Sequence, residues 1–363
     1  MAITLTIAAA IIAGFVCLLW VLSPGTIRPV LDEDGRSPPG SLSEKAFVPI
    51  NGVQQGMFIR SADAAHPVLL FLHGGPAMPT YALEQKYPTG LEKDFTIVWW
   101  EQRGAGLSYS ADIPPATMTV QQMVDDTVAV SDYLRQRFGK EKIYLMGHSW
   151  GSFIGIQAAA QAPDRYHAYI GVGQLTNQLE SERLAYDYML KTSGERKNTG
   201  MLRKLQAAPF EKTVPLPEPY MALRDEAMHT LGIGTTRDMR SVISGIFVPT
   251  WMDREYTLRE KFNIWRGKWS APTRQLWNQV LKTDITVQVP KLDLPVYFLL
   301  GKYDYTTSHD LAKAYFQNLE APLKAFYTYE NSAHSPIFEE PEKTRMILAK
   351  DVLTKSANLS DKP

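Results

Sequence analysis

The chain has 363 residues, of which 45% are hydrophobic and 21% are charged, and its formal net charge at pH 7 is +0. This length allows one large core with an insertion, or two domains. The balanced charge argues against nucleic acid as a partner, because no surplus of Lys and Arg can displace counterions from a polyanion. The single cysteine, Cys17, excludes a disulfide within the chain and a metal site built from cysteines.

The chain begins with an apolar segment. Residues 3–22 carry no charge and are long enough to cross a bilayer core of about 30 Å as a helix. A cleaved signal peptide is the alternative, but no Lys or Arg precedes the apolar run and LSPG stands where a small-residue cleavage site belongs. The sequence therefore predicts a retained transmembrane helix and a single-pass membrane localisation, with the side of the membrane left open.

Beyond a linker rich in acidic residues, proline and glycine, strand-like and helix-like segments alternate. The continuous apolar runs are typical of strands buried on both faces. Such alternation predicts an α/β fold with a mostly parallel sheet and helices on both faces. Strands are predicted at residues 67–73, 95–101, 142–147, 167–173 and 294–301, and helices at residues 119–139 and 150–162.

The alternation stops after the strand at 167–173 and resumes near residue 291. The intervening sequence has a helical pattern and is rich in polar and aromatic residues. This composition favours a helical cap of roughly a hundred residues inserted into one core. A second independent domain is the alternative, but it would need its own core. The predicted parts are a membrane anchor (1–27), a linker (28–44), the first part of the core (45–175), the cap (176–290) and the second part of the core (291–363).

A serine stands between two glycines where the strand at 142–147 ends. A sharp strand-to-helix turn crowds the residues two before and two after its centre, and Gly147 and Gly151 remove that crowding. The turn would expose the hydroxyl of Ser149, as a nucleophile requires. A serine that only caps the next helix is the alternative for an isolated match.

A serine nucleophile needs a base, and the base needs a carboxylate that orients it. Asp304 follows the strand at 294–301, at the sheet edge where sites of such folds form. His334 lies in a loop before the last predicted helix. Either residue alone could be an ordinary loop residue, but with Ser149 they predict a catalytic triad.

The glycines after the strand at 67–73 predict an oxyanion hole. Such a hole needs backbone N–H groups that secondary structure leaves free. Pro76 has no N–H, so Gly74 or Gly75 must donate together with the N–H of Trp150, and Gly75 is favoured. A simple glycine turn is compatible with this use.

The chain contains HGGP at 73–76, EQRGAGLS at 101–108, GHSWGS at 147–152, and the loops of Asp304 and His334. The order serine, acid, histidine is that of the α/β-hydrolase fold. Together these motifs resemble α/β hydrolases of the proline iminopeptidase type, the S33 serine peptidases. The resemblance implies that fold with an inserted cap, an acyl-enzyme mechanism, and no cofactor or metal.

This sequence departs from the usual motifs of the branch at three positions. Ala77 replaces the last glycine of HGGPG, Glu101 replaces the aspartate of DQRG, and His148 replaces a glycine before the nucleophile. None of these departures touches the triad, but they bear on the substrate. The segment EQRGAGLS is interpreted as a brace for a loop beside the site.

The cap is predicted to bound the substrate pocket. An aromatic lid suits an apolar or proline-like ring, which makes Trp251 and Trp265 candidates for substrate binding. Packing within the cap is the alternative for both. An iminopeptidase also needs a cap carboxylate for the free ammonium of its substrate, and Glu182 is favoured over the alternative of a solvated acidic helix face.

The predicted function is that of a serine hydrolase which removes N-terminal residues from short peptides, in the manner of a proline iminopeptidase. A carboxylester hydrolase or lipase of the same fold is the first alternative, because fold and triad do not determine the acyl group. A non-catalytic ligand-binding protein is the second, although the complete triad argues against it. The sequence leaves the oligomeric state open.

Overall fold

The computed structural model describes residue 14 and residues 17–362 of the chain. Within these residues, eight strands form one sheet in the order β1-β2-β4-β3-β5-β6-β7-β8. The strands are β1 (Leu42–Ile50), β2 (Val53–Ser61), β3 (Val68–Leu72), β4 (Thr96–Glu101), β5 (Ile143–His148), β6 (Tyr166–Val172), β7 (Val296–Gly301) and β8 (Lys324–Tyr329).

The sheet is antiparallel only around β2. Strand β2 runs antiparallel to β1 and β4, whereas β4, β3, β5, β6, β7 and β8 are mutually parallel. The hairpin between β1 and β2 turns at Asn51 and Gly52, which have φ angles of 45° and 77°. Positive φ at both central residues is what a tight hairpin turn requires. The prediction of a mostly parallel sheet is confirmed.

The helices cover both faces of the sheet, and the name cap is kept for the helical segment between β6 and β7. A π-helical turn at Ile243–Phe247 precedes α7. The helices are α1 (Tyr81–Lys86), α2 (Val120–Phe138), α3 (Trp150–Gln161), α4 (Gln178–Glu195), α5 (Thr199–Ala207), α6 (Glu218–Leu231), α7 (Val248–Met252), α8 (Leu258–Lys268), α9 (Ala271–Leu281), α10 (Ile285–Gln288), α11 (His309–Asn318), α12 (Pro336–Glu339) and α13 (Pro341–Ile347).

Adjacent residues of the central strands are buried on opposite faces of the sheet. On β3, Leu70 and Leu72 pack in one apolar cluster with α2 and α3. Leu69 and Phe71 pack in a second cluster that includes residues of α1, α12 and α13. Each large apolar side chain buried in this way contributes about 1.5–3 kcal/mol. Burial on both faces explains why the strands are continuous apolar runs in the sequence.

The transmembrane helix predicted at residues 3–22 is not found. No helix within residues 14 and 17–362 is long and apolar enough to cross a membrane. This finding corrects the predicted anchor, and the membrane localisation inferred from it loses its basis. Residues 3–13, 15 and 16 of the predicted span lie outside the described residues.

The described end of that segment is attached to the cap. Residues 17–21 are helical, and Ser23 then donates its hydroxyl to the carbonyl of Leu19 at 2.5 Å. The ammonium of Lys261, on α8, donates to the carbonyl of Leu22 at 2.9 Å and to the hydroxyl of Ser23 at 3.0 Å.

Candidate active site

Ser149 lies in the turn between β5 and α3 in a backbone conformation that is rare for a residue with a side chain. Its φ is 57° and its ψ is −122°. A Cβ on Gly147 would lie 2.3 Å from the carbonyl oxygen of Gly151, and a Cβ on Gly151 would lie 2.0 Å from that of Leu72. Only glycine fits at either position, so the sharp turn depends on these two residues. Strain of this kind costs about 1–3 kcal/mol and occurs mainly at functional sites.

Asp304 and His334 form a direct hydrogen bond. The distance between His334 Nδ1 and Asp304 Oδ2 is 2.9 Å, and Asp304 is buried. The backbone N–H groups of Thr306 and Thr307 donate to Asp304 Oδ1 at 2.8 and 3.0 Å. Burial acts to raise the pKa of Asp304, but His334 and the hydrogen bonds outweigh it and lower the pKa. Asp304 is therefore an ionised acceptor that places the proton of His334 on Nδ1 and leaves Nε2 free.

His334 also lies against the residue that precedes the serine. The rings of His148 and His334 have their centres 4.8 Å apart, and His148 Nε2 lies 2.9 Å from the carbonyl oxygen of His334. Gly173, just after β6, leaves room for the imidazole, because a Cβ there would lie 3.0 Å from its Cε1 and Nδ1 atoms. The structure thus places Ser149, Asp304 and His334 at the same edge of the sheet, after the carboxyl ends of β5, β7 and β8. No direct hydrogen bond between Ser149 Oγ and His334 is found among the described residues, and such bonds are often long before substrate binds.

The glycine loop after β3 lies directly beside the serine. A Cβ on Gly74 would be 3.3 Å from the Cβ of Ser149. Within residues 17–362, neither the Gly75 N–H nor the Trp150 N–H has a hydrogen-bond acceptor. His73 anchors the start of the loop, since its Nε2 accepts from the N–H of Gln102 at 3.1 Å. Two free backbone donors beside a serine suit an oxyanion hole.

The segment 101–108 connects the core to the cap. Glu101 Oε2 accepts from the N–H of Leu107 at 2.5 Å, and its Oε1 accepts from the hydroxyl of Tyr256 in the cap. Arg103 donates from Nε to Asp126 at 2.7 Å, and both side chains are buried. These contacts indicate that Glu101 and Arg103 stabilise the loop and are not catalytic groups, because neither residue contacts Ser149, Asp304 or His334.

The buried Glu101 predicts a change of stability with pH. Burial raises the pKa of Glu101 to about 8, although the hydrogen bonds from Tyr256 and Leu107 lower it. Because the ordinary pKa of a glutamate is about 4.3, protonation favours the folded state, and this stabilisation is lost as the pH rises through about 8. Glu101→Gln, measured by urea unfolding, should therefore lose less stability than the wild type between about pH 6 and about pH 9. The exposed Glu218→Gln is the control, and an unchanged pH dependence in Glu101→Gln would contradict the assignment.

Glu182 lies on α4, and its carboxylate already has partners. Glu182 Oε2 accepts from Arg224 Nε at 2.6 Å and from the hydroxyl of Tyr220 at 2.8 Å, and Oε1 accepts from Gln178 at 2.8 Å. The Glu182 side chain is fully buried. Arg224 therefore neutralises the carboxylate that the sequence assigns to a substrate ammonium.

Removing Glu182 should destabilise the protein. Glu182→Ala removes the buried partner of the Arg224 guanidinium and leaves it only the 3.0 Å contact of Nη1 with Asp225, whose side chain is more than half exposed. Breaking a buried ion pair typically costs about 3–5 kcal/mol in the free energy of unfolding. Glu226→Ala is a matched control, because Glu226 forms a 2.7 Å ion pair with Lys204 whose side chains are more than half exposed. An exposed pair contributes only about 0–1 kcal/mol. Equal losses in urea unfolding would show that the Glu182 pair is not a buried structural pair.

The contacts of the two predicted substrate-binding tryptophans lie mainly within the cap. Trp265 lies 4.8 Å from Phe247 and 5.3 Å from Trp269, measured between ring centres. Trp251 lies 5.1 Å from Phe262. Trp265 also packs against the apolar cluster of the core. These contacts are those of packing, and a role in substrate binding stays a prediction for both residues.

The sequence analysis missed the residues that hold the acid in place. Thr307 donates its hydroxyl to Asp304 Oδ2 at 2.9 Å, in addition to the two backbone bonds. The tetrapeptide DYTT at 304–307 carries a signal for this arrangement, because an aspartate readily accepts from backbone N–H groups two and three residues later.

Comparisons with known proteins agree with this geometry. A family model described as "alpha/beta hydrolase fold" matches residues 67–341. The chain therefore belongs to the α/β hydrolase family and is an enzyme of the hydrolase class, and the resemblance predicted from the sequence is confirmed.

Its relatives include peptidases. The chain is 33% identical over 295 residues to the probable aminopeptidase YbaC of Bacillus subtilis, covering 80% of this chain and 91% of the relative. It is 24% identical over 305 residues to the proline iminopeptidase of Heyndrickxia coagulans, covering 82% and 95% of the two chains. Among solved structures, the proline iminopeptidase of Mycobacterium smegmatis superimposes with a TM-score of 0.59 at 15% identity, covering 86% of this chain and 98% of the other.

Proposed function

We propose that the protein hydrolyses its substrate through an acyl-enzyme formed on Ser149. The observation that supports this most is the 2.9 Å hydrogen bond between His334 Nδ1 and the buried Asp304. It lies beside a serine in a strained turn whose neighbouring backbone donors are free. Nucleophile, base, orienting acid and donors are the parts that acyl transfer needs.

The proposed reaction has two halves. In the first, His334 Nε2 takes the proton of the Ser149 hydroxyl while the oxygen attacks the substrate carbonyl. The N–H groups of Gly75 and Trp150 stabilise the resulting oxyanion, and His334 then passes its proton to the leaving group. In the second half, His334 activates a water molecule, which releases the acyl group and restores Ser149. Asp304 stays ionised throughout and stabilises the imidazolium.

For the substrate, we propose a short peptide with a free N-terminus. The support comes from the relatives named aminopeptidase and proline iminopeptidase, which match about four fifths of this chain. The substrate would enter below the cap, whose first helix rests on the loop of the acid: Ser181 Oγ donates to the carbonyl of Thr307 at 3.0 Å.

One observation favours an ester substrate as a second candidate. The Glu182 carboxylate is paired with Arg224, so this residue offers no free negative charge to a substrate ammonium. An uncharged ester would need no such partner.

The two candidates are separated by a panel of substrates. Prolyl- and alanyl-2-naphthylamide, their N-acetylated forms and a p-nitrophenyl ester are offered to the full-length protein, with Ser149→Ala as the blank. An aminopeptidase should cleave the free-amine amides and lose about ten- to a hundredfold in kcat/KM when the amine is acetylated, because a charged hydrogen bond is lost. Cleavage of the ester alone would favour the esterase, and cleavage of none of these substrates would contradict the proposed function.

A further inference from the structure

A loop of the cap lies against the loops that carry the proposed acid and base. This cap loop, defined as residues 232–237, follows α6. The N–H of His334 donates to the carbonyl of Gly234 at 3.2 Å, and the N–H of Arg237 donates to Glu339 Oε1 at 2.6 Å. Glu339 is the last residue of α12, the short helix that begins two residues after His334. The cap loop therefore contacts the base both directly and through Glu339.

The second carboxylate oxygen of Glu339 accepts a hydrogen bond from the loop that carries His334. Its Oε2 accepts from the N–H of Ala333, the residue before His334, at 2.9 Å. The Glu339 carboxylate thus connects the backbone N–H of Arg237, in the cap loop, to the backbone N–H of Ala333. Ala333 belongs to the loop that carries His334, which is called the base loop. A charged acceptor that holds two backbone donors is a strong and directional link.

The side chain of Arg237 contacts Tyr303, the residue before the proposed acid Asp304. Its guanidinium lies 3.6 Å from the centre of the Tyr303 ring, and its Nη1 donates to the carbonyl of Gly232 at 2.6 Å. Tyr303 precedes Asp304, and its N–H donates to the carbonyl of Ser332 at 3.0 Å. A cation over an aromatic ring contributes about 0.5–2 kcal/mol. The cap loop therefore contacts the chain on both sides of the Asp304–His334 hydrogen bond, through the ring of Tyr303 on one side and the backbone N–H of His334 on the other.

We propose that Glu339 is a positioning residue that couples the cap loop to His334. This inference rests on the proposed function, in which His334 is the base. A cap loop that moves takes Arg237 N–H and Gly234 C=O with it, and both are bonded to the segment 333–339. A displacement of about 1 Å at a reacting group can cost about a hundredfold in rate. The position of the cap would thereby set how well the base faces Ser149.

The test compares two adjacent glutamates. Glu339→Gln keeps the size of the side chain but replaces one acceptor oxygen by an amide NH₂, so one of the two N–H groups loses its partner. Glu340→Gln is the matched control: Glu340 Oε1 accepts from Ser332 Oγ at 2.7 Å and from Asn331 N at 3.3 Å, in the same base loop but with no bond to the cap loop. Burial raises the pKa of Glu339 to about 7, against the lowering effect of its backbone hydrogen bonds, with Asp238 raising it and Arg237 lowering it. The assay is therefore run at about pH 8.5, where the carboxylate is ionised.

The readout is the rate at which a small fluorophosphonate labels the protein, because this rate depends on the base and not on recognition of a particular substrate. Glu339→Gln should lower the second-order labelling rate by about ten- to a hundredfold, while Glu340→Gln stays within about threefold of the wild type. With a cleaved substrate, Glu339→Gln should lower kcat by a similar factor and change KM by less than about threefold.

Arg237→Met provides a second variant, because it loosens the cap loop and leaves Glu339 in place. It should lower the labelling rate by at least about threefold, as expected for loss of a cation–aromatic contact. A labelling rate of Glu339→Gln within threefold of the wild type would overturn the inference, and so would equal losses in the two glutamate variants. If Glu339→Gln does not fold, Arg237→Met decides the test: a labelling rate equal to that of the wild type then overturns the inference. Absence of labelling in the wild type would overturn the proposed function as well, which separates the two failures.

Discussion

Replacing Ser149 with alanine should lower turnover by about 10⁵–10⁶-fold, the scale seen when a serine nucleophile is removed from a working triad. Ser149 lies in a strained turn beside free backbone donors, as the proposed nucleophile requires. The residual rate would come from the oxyanion donors and substrate binding alone. Turnover on the best substrate of the panel measures the effect.

The control for this variant is Ser110→Ala, which removes an exposed hydroxyl in the loop after β4. It should keep full activity. Turnover of Ser149→Ala within a hundredfold of the wild type, in protein that elutes and unfolds like the wild type, would exclude Ser149 as the nucleophile.

Loss of the base or of its orienting acid should be nearly as severe. His334→Ala removes the group that accepts the serine proton, and about 10⁴-fold or more in kcat should be lost. Asp304→Asn should cost about as much, because an amide neither stabilises the imidazolium nor holds the proton of the ring on Nδ1. Burial of Asp304 makes this effect large, since water cannot replace the carboxylate.

A second histidine–aspartate pair offers a matched control. His309 Nδ1 lies 3.0 Å from Asp310 Oδ1, much like the proposed catalytic pair, but the Asp310 side chain is 92% exposed. Asp310→Asn should leave kcat within about twofold, because an exposed pair contributes little. A rate of His334→Ala within tenfold of the wild type would require a different base.

The local parts of the site could be predicted from the sequence because short-range sterics determine them. A Cβ on Gly147 would lie 2.3 Å from the carbonyl oxygen of Gly151, four residues later, and a sequence pattern reveals such a local requirement. The atom that excludes a Cβ on Gly151, the carbonyl oxygen of Leu72, lies on a different strand. Asp304 could be placed because it follows a strand whose carboxyl end lies at the edge of a parallel sheet. The pairing of Asp304 with His334 stays a proposal for catalysis, although the structure joins the two side chains.

Long-range pairing could not be predicted in the same way. Glu182 and Arg224 are 42 residues apart in the chain, and no local pattern brings them together. The sequence therefore suggested a free carboxylate where the structure shows an ion pair. The link between Arg237 and Glu339 spans 102 residues and was missed for the same reason.

The amino-terminal segment shows where composition misleads. Length and hydropathy alone predict a membrane helix there, but no described helix is long and apolar enough to span a membrane. Hydropathy contains no information on long-range contacts, such as the hydrogen bond that Lys261 of the cap donates to the carbonyl of Leu22 at the end of that segment.

The most direct test of the account is to locate the covalent adduct of a fluorophosphonate on the full-length protein by peptide mass spectrometry. The reagent forms a bond only with a serine whose proton a neighbouring base removes, so it reports on the proposed nucleophile and base together. We expect one adduct, on Ser149 in the peptide that contains GHSWGS, and its absence from His334→Ala treated for the same time. An adduct on another serine, or no adduct on the folded wild-type protein, would contradict the proposal that Ser149 carries the acyl group.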